Sequence, residues 1–191
     1  MRYRQYVFAL PILAVLAAFG LASNILATET ADLSHILIAN FGRVDDGYYR
    51  GAQPQKQDYA RLAAAGIKTV VDVHKNGPKN EQALTESAGM KFYRIPLSES
   101  DVPTPEQVKE FLAIVNDPAN QPVYVHCAGG RHRTGALTAV YRLTHDHWTA
   151  NQAYDEMKQY EFLKNGDHNF LKNFVYQYSS QLNTKAAAAE K

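Results

Sequence analysis

The sequence contains a single cysteine, Cys127, among its 191 residues. One cysteine excludes an internal disulfide, and it excludes the zinc sites that need several cysteine ligands. An excess of one charge is also missing, because 20 Lys and Arg side chains balance 19 Asp and Glu side chains to a net charge of +1. Balanced charge argues against general binding to nucleic acid, so any attraction for anions must be local.

Histidine is more frequent, with seven residues, and His145 and His147 flank Asp146. This cluster does not predict a metal site, since alternate positions on a helix do not face one ligand site. The sequence therefore predicts neither a metal nor a cofactor.

The distribution of apolar residues is that of one α/β domain. Strand-like runs at residues 69–73, 91–95 and 123–126 alternate with helix-like stretches at residues 55–65, 81–88, 105–117, 134–146, 149–160 and 167–181. This alternation predicts a central, mostly parallel sheet of four to five strands flanked by helices. We expect the domain to cover residues 28–182 and a disordered tail to follow at residues 183–191, which include the alanine run Ala186–Ala189.

The cysteine lies in a glycine-containing turn between an apolar run and a helix-like stretch. The turn reads His126-Cys127-Ala128-Gly129-Gly130-Arg131-His132-Arg133-Thr134-Gly135. In a tight turn at a helix N-terminus, successive backbone N–H groups point to one place and bind an anion. The spacing therefore predicts a phosphate cradle with a nucleophile at its base.

Each side chain of the turn has an expected role. The helix N-terminus favours Cys127 as a nucleophilic thiolate, and the guanidinium of Arg133 can hold two phosphoryl oxygens at once. We expect His126 to orient the loop and Thr134 to donate its hydroxyl to the cysteine sulfur. The expected phosphate-binding residues are Ala128, Gly129, Gly130, Arg131, His132 and Arg133.

The His-Cys pair, five residues and Arg-Thr-Gly resemble the signature of the cysteine-dependent protein tyrosine and dual-specificity phosphatases. The segment at residues 40–54 is similar to the opening of bacterial dual-specificity-like phosphatases and of the atypical plant and fungal group. Some members of that group act on inositol pyrophosphates. This chain departs from them at Ala128 and Gly129, where basic residues are common.

The resemblance implies a general acid on a separate loop, which protonates the leaving oxygen. The loop at residues 96–105 follows a strand-like run and precedes a helix that Thr104 can cap, with Pro105 in its first turn. We expect Asp101 to be the acid, because the family uses aspartate here, and Glu99 is the second candidate.

These features predict a metal-independent phosphomonoester hydrolase that forms a cysteinyl-phosphate and acts on a phosphoprotein or a small phosphate ester. Two alternatives remain open. One is a phosphatase for inositol phosphates, inositol pyrophosphates or phospholipids, and the other is a module that binds phosphate without turnover.

The first 27 residues differ in composition from the rest. Arg2 and Arg4 precede an uncharged apolar stretch at residues 7–22, which is typical of an export signal. Ala27 offers a small residue at a cleavage site, yet the apolar stretch approaches the ~20 residues of a membrane span. We expect a periplasmic protein, or one attached to the inner membrane with its catalytic domain outside the cytoplasm.

Overall fold

The computed structural model describes residues 33–164 and 166–189, which contain a five-stranded sheet flanked by helices. The strands are β1 (Gly42–Arg43), β2 (Tyr48–Ala52), β3 (Thr69–His74), β4 (Lys91–Leu97) and β5 (Val123–Cys127). Their order is β1-β2-β5-β3-β4; β1 runs antiparallel to β2, and the other pairs are parallel. The predicted mostly parallel sheet is confirmed.

The helices are α1 (Asp58–Ala64), α2 (Glu81–Ser87), α3 (Pro105–Val115), α4 (His132–His145), α5 (Ala150–Gln159) and α6 (Asn169–Ala189). Most of α4 is buried, because it lies between the sheet and the pair α5 and α6. Within the described residues, no helix combines the length and the apolar character that crossing a membrane requires.

The core lies on both faces of the sheet. One face packs Val71 and Val125 against Phe111 of α3 and Leu137 of α4, while Val70 lies on the opposite face. All five residues of β5 are buried, as expected for the central strand of a parallel sheet. The carboxyl end of this strand positions the cysteine.

Helix α6 forms the carboxyl end of the described part of the chain. Helix α6 continues to Ala189, so it includes residues 183–189 of the segment for which the sequence predicts disorder. Alanine has the highest helix propensity, and the run Ala186–Ala189 extends a helix that has already formed. The proposed signal or anchor at residues 1–27 and the last two residues lie outside the described residues.

Candidate active site

The candidate site lies at the carboxyl end of β5. The strand ends at Cys127 and α4 begins at His132, so the loop between them lies at a helix N-terminus. Cys127 is only 2% exposed and contributes to the wall of a cavity of about 260 Å³. The cavity is lined by Glu99, Cys127, Ala128, Gly129, Arg131, His132, Arg133 and His168. Five of the six predicted phosphate-binding residues are in this lining, and the sixth, Gly130, is buried in the same loop.

The glycine at position 130 is required by the backbone. Gly130 has φ +66°, in the left-handed region, and a Cβ atom there would lie 2.4 Å from the backbone of Gly51 in β2. A side chain at this position would push the loop away from β2. The close approach therefore fixes the curvature of the cradle.

Arg133 lies in the first turn of α4 and is 6% exposed. Its Nη2 atom donates a hydrogen bond to Glu99 Oε1 at 2.9 Å. The guanidinium borders the same cavity as the cysteine, at the position from which it can hold a phosphoryl group. Glu99 therefore binds the guanidinium that a phosphate would use.

The structure distinguishes the two candidate acids. Both side chains are exposed, but Glu99 is in the wall of the cavity, whereas Asp101 is not among the residues that line it. The loop that carries both is anchored at its far end, where Thr104 caps α3 in a capping box with Gln107. Gln107 Nε2 also donates to the Pro96 carbonyl at 3.0 Å. In this loop conformation, the structure brings the second candidate to the site and not the first.

A second cavity of about 240 Å³ adjoins the first, and Glu99 and Arg133 border both. Its other lining residues are His74, Lys75, Asn76 and Ser98. Burial and the nearby Arg133 lower the pKa of His74, which therefore favours the neutral form at pH 7. A wider groove of about 790 Å³ along α6 is lined by uncharged side chains and offers no cation for phosphate.

Four ionisable side chains form a buried network behind the cradle. Asp72, Glu81 and His126 are 0% exposed, and Arg94 covers them from the surface. Arg94 Nε donates to Asp72 Oδ2 at 2.8 Å, and its Nη2 donates to Glu81 Oε2 at 3.2 Å. Glu81 also accepts hydrogen bonds from Gln53 Nε2 and from the Tyr59 hydroxyl. Apart from His126, sequence reasoning assigned none of these residues to the site, although a carboxylate in a strand-like run signals that Asp72 needs a partner.

The pKa values of the two buried carboxylates are shifted in opposite directions. Burial raises the pKa of Asp72, and the nearby His126 opposes this only in part. Burial would also raise the pKa of Glu81, but its contacts with His126 and Gln53 lower that pKa to about 2. Glu81 is therefore the carboxylate that stays ionised.

Of the two residues predicted to support the cysteine, His126 contacts its backbone, whereas Thr134 does not bind its sulfur. His126 Nδ1 lies 3.4 Å from the Cys127 carbonyl oxygen, and its Nε2 lies 2.8 Å from Glu81 Oε1 without the alignment of a regular hydrogen bond. His126 thus joins the nucleophile's backbone to the buried network. The Thr134 hydroxyl is buried and has no hydrogen-bond partner in the described part of the chain, so the predicted bond to the cysteine sulfur is absent from this structure.

The segment between α5 and α6 also contributes to the cavity, through His168. Glu161 Oε2 accepts a hydrogen bond from Arg131 Nε at 2.8 Å, and Lys164 and Arg131 lower the pKa of Glu161 to about 2. The rings of His132 and His168 stack with their centroids 3.5 Å apart. Sequence reasoning missed Glu161 and His168, because no local pattern connects them to a loop some 30 residues earlier.

Two groups of potential metal ligands occur within the described residues. One is Asp72, Glu81 and His126, and the other is Asp45, His145 and Asp146. Arg94 already neutralises the first group, while Arg142 and Tyr141 bind the carboxylates of the second. The carboxylates of both groups therefore have hydrogen-bond or ion-pair partners within the protein.

A buried cysteine and an arginine six residues later share one cavity at the carboxyl edge of a parallel sheet. This arrangement defines a cysteine-dependent phosphatase, in which the thiolate and the guanidinium hold the same phosphoryl group. Residues 34–173 match a family model described as a DSP-PTPase phosphatase fused to NAD+ kinase. The chain belongs to this family of dual-specificity-type phosphatases.

Similar proteins agree with this assignment. The inositol diphosphatase DSP3 of Arabidopsis thaliana is 28% identical over 159 residues, which cover 78% of each chain. The dual specificity protein phosphatase TpbA of Pseudomonas aeruginosa is 30% identical over 152 residues, which cover 76% of this chain and 68% of TpbA. The catalytic core of the PP-IP phosphatase SIW14 from S. cerevisiae superposes with a TM-score of 0.66 at 25% identity, covering 80% of this chain and 93% of that core.

Proposed function

We propose that this chain hydrolyses phosphomonoesters through a cysteinyl-phosphate formed on Cys127. The thiolate attacks phosphorus, the P–O bond to the leaving group breaks, and a carboxylic acid donates its proton to the leaving oxygen. Water then attacks the cysteinyl-phosphate while the same carboxylate takes its proton, and the P–S bond breaks to release phosphate. The cradle and Arg133 supply the charge that the transition state needs, so the mechanism requires no metal.

One observation carries this proposal. Cys127 and Arg133 border one cavity, and Ala128 and Gly129, which lie between them in the sequence, line it as well. A phosphoryl group bound there can contact the sulfur, the guanidinium and the helix N-terminus together. This arrangement supports turnover as well as binding, because the nucleophile is part of the binding wall.

We propose Glu99 as the general acid. It lines the cavity, and a phosphoryl group that takes the Arg133 guanidinium would release the carboxylate from its hydrogen bond. A released Glu99 would then be free to protonate the leaving oxygen. Asp101, expected from the sequence, does not line the cavity and would need the loop to move.

For the substrate, we propose an aryl or alkyl phosphomonoester such as a phosphorylated side chain. Ala128 and Gly129 add no positive charge to the cradle, and Glu161 neutralises Arg131. A substrate with many phosphates needs more free cations than this rim offers. A solved structure of a TpbA variant contains phosphotyrosine. The names of the plant and yeast relatives favour inositol diphosphates as the second candidate.

The test is steady-state hydrolysis of p-nitrophenyl phosphate by the full-length protein in the presence of EDTA. Cys127→Ser should abolish turnover. Glu99→Gln should lower kcat about 100-fold and remove the basic limb of the pH profile, whereas Asp101→Asn should change kcat less than threefold. The opposite result for the two carboxylates would make Asp101 the acid. Full activity of Cys127→Ser would refute the mechanism.

The same preparation tests the substrate. Initial rates with a phosphotyrosine peptide and with an inositol diphosphate should favour the peptide. A preference for the inositol diphosphate would support the second candidate. Phosphate binding without turnover of any substrate would indicate a recognition module.

We also propose that residues 1–27 direct export, so that the catalytic domain acts outside the cytoplasm. The support is the basic end followed by the uncharged stretch at residues 7–22. Cleavage would give a periplasmic enzyme, and retention would attach it to the inner membrane.

A further inference from the structure

Three successive carbonyl groups of the cradle are bound from outside by the segment at residues 40–53. The Gln53 backbone N–H donates to the Ala128 carbonyl at 3.1 Å. Asn40 Nδ2 donates to the Gly129 carbonyl at 2.8 Å, and Arg50 Nη2 donates to the Gly130 carbonyl at 2.8 Å. The donors therefore contact the back of the loop, away from the cavity.

These bonds determine where the N–H groups of the loop point. In a trans peptide unit, the C=O and N–H vectors are nearly opposite. When the carbonyls of Ala128, Gly129 and Gly130 face the segment at residues 40–53, the N–H groups that follow them face the other way. Those N–H groups belong to Gly129, Gly130 and Arg131, and they face the cavity side of the loop.

Arg50 has an unusual environment for a charged side chain. It is 0% exposed, and its Nε and Nη1 atoms have no hydrogen-bond partner in the described part of the chain. Its guanidinium stacks on the ring of Tyr160 at 3.9 Å. Among residues 33–164 and 166–189, no carboxylate forms an ion pair with it. Burying a cation without a directly paired carboxylate is costly.

Arg50 Nη2 lies 2.8 Å from the Gly130 carbonyl, so the charge of Arg50 is next to the loop that would bind the anion. Burial lowers the pKa of Arg50, and attraction to Tyr48, Glu156, Tyr160 and Cys127 opposes that effect. An arginine remains charged in proteins even when it is buried. The Cys127 thiolate and a bound phosphoryl group are the anions that the site would place near this charge.

We propose that Asn40 and Arg50 are positioning residues of the phosphate cradle, and that Arg50 also provides a permanent positive charge behind it. Asn40 and Arg50 orient two of the three N–H groups that receive phosphate oxygens. The charge of Arg50 favours the Cys127 thiolate and the bound phosphoryl group. This inference rests on the proposed function, since it assumes that the cradle binds phosphate.

Two measurements on the full-length protein separate orientation from charge. Calorimetric titration of inorganic phosphate into the Cys127→Ser variant reports the affinity of the cradle. The rate of iodoacetamide alkylation of Cys127 as a function of pH, measured in the protein that retains the cysteine, reports thiolate formation. Arg50→Met, Arg50→Lys and Asn40→Gly are compared in both assays, with Arg61→Met as the control for loss of a partly exposed arginine. Glycine accepts the φ of +54° at position 40, so Asn40→Gly removes the amide donor to Gly129, together with its second bond to Glu161 at 3.3 Å, without straining the backbone.

The variants have different expected results. Arg50→Met should weaken phosphate binding about tenfold or more and move the midpoint of alkylation to higher pH. Arg50→Lys should restore the midpoint while phosphate binding stays weak, because the ammonium keeps the charge but not the reach of the guanidinium. Asn40→Gly should weaken phosphate binding about threefold to tenfold without moving the midpoint. Arg61→Met should change neither value more than twofold.

Wild-type affinity and an unchanged alkylation midpoint in folded Arg50→Met and Asn40→Gly would overturn the inference. Should Arg50→Met fail to fold, Arg50→Lys and Asn40→Gly decide the question. If the wild type hydrolyses no substrate and Cys127→Ser does not bind phosphate, the proposed function fails and this inference fails with it. If the wild type is active, the proposed function stands, and the results with the Asn40 and Arg50 variants decide only whether these residues position the cradle.

Discussion

Replacing Glu81 with glutamine removes one charge from the buried network while keeping the size of the side chain. In the folded protein, the contacts with His126 and Gln53 outweigh burial and lower the pKa of Glu81 from 4.5 to about 2. At ~1.36 kcal/mol per pKa unit, this difference corresponds to about 3 kcal/mol in favour of the folded state. The loss of one partner from a buried ion pair costs a similar amount, about 3–5 kcal/mol. We therefore expect Glu81→Gln to lower the free energy of unfolding by about 3 kcal/mol at pH 7.

The sign of the pH dependence follows from the lowered pKa. A carboxylate whose folded pKa is below its unfolded pKa stabilises the fold fully above the unfolded value, and this stabilisation is lost as the pH falls through the folded value. The difference between wild type and Glu81→Gln should therefore be complete above about pH 5 and shrink between pH 4.5 and about 2. At pH 7, the melting temperature should fall by roughly 6–12 °C.

Urea unfolding followed by circular dichroism at pH 7 and pH 3 provides the assay. Glu86→Gln is the matched control, because Glu86 lies on the same helix and is exposed. The control should change the free energy of unfolding by less than about 0.5 kcal/mol. The reasoning is refuted if Glu81→Gln behaves like the control, or if its loss of stability is the same at both pH values. The second result would assign the effect to packing instead of charge.

The remaining predictions concern the cradle and the amino end. Gly130→Ala should lower kcat/KM about 100-fold, because the new methyl group would displace the loop from Gly51. Gly89→Ala is the control, since Gly89 also has a positive φ, +83°, but has open space around its Cβ position. This control should destabilise the fold without the loss of activity. Equal effects of the two substitutions on kcat/KM would contradict the argument from close approach. A fusion of residues 1–33 to an alkaline phosphatase lacking its own signal should become active in the periplasm, where its disulfides form, and an inactive fusion that stays in the cytoplasm would contradict export.

The strand, loop and helix around the cysteine could be predicted from the sequence within a few residues. The apolar run predicted for residues 123–126 is β5, which ends at Cys127, and Thr104 caps α3 as expected. These features are local, because turn chemistry and apolar periodicity depend on neighbouring residues.

Contacts between distant segments could not be predicted in this way. Strand β2 was missed because Tyr48–Ala52 contains a charged arginine and a glycine, and only its position beside β5 explains why all five residues are buried. The choice between Glu99 and Asp101 depends on the conformation of a short exposed loop, which residue types do not determine. The partners of Asp72 are similarly remote in sequence, since Glu81, Arg94 and His126 come from three different elements.

The single thiol at the base of the cavity also determines how the enzyme would respond to oxidants. A thiolate in this position is open to small oxidants such as peroxide, which convert it to a sulfenic acid. The sequence has no second cysteine to form an internal disulfide with the oxidised sulfur. Recovery therefore depends on thiols from outside the chain, so the reducing power of the surroundings decides whether inactivation by oxidation is brief or permanent.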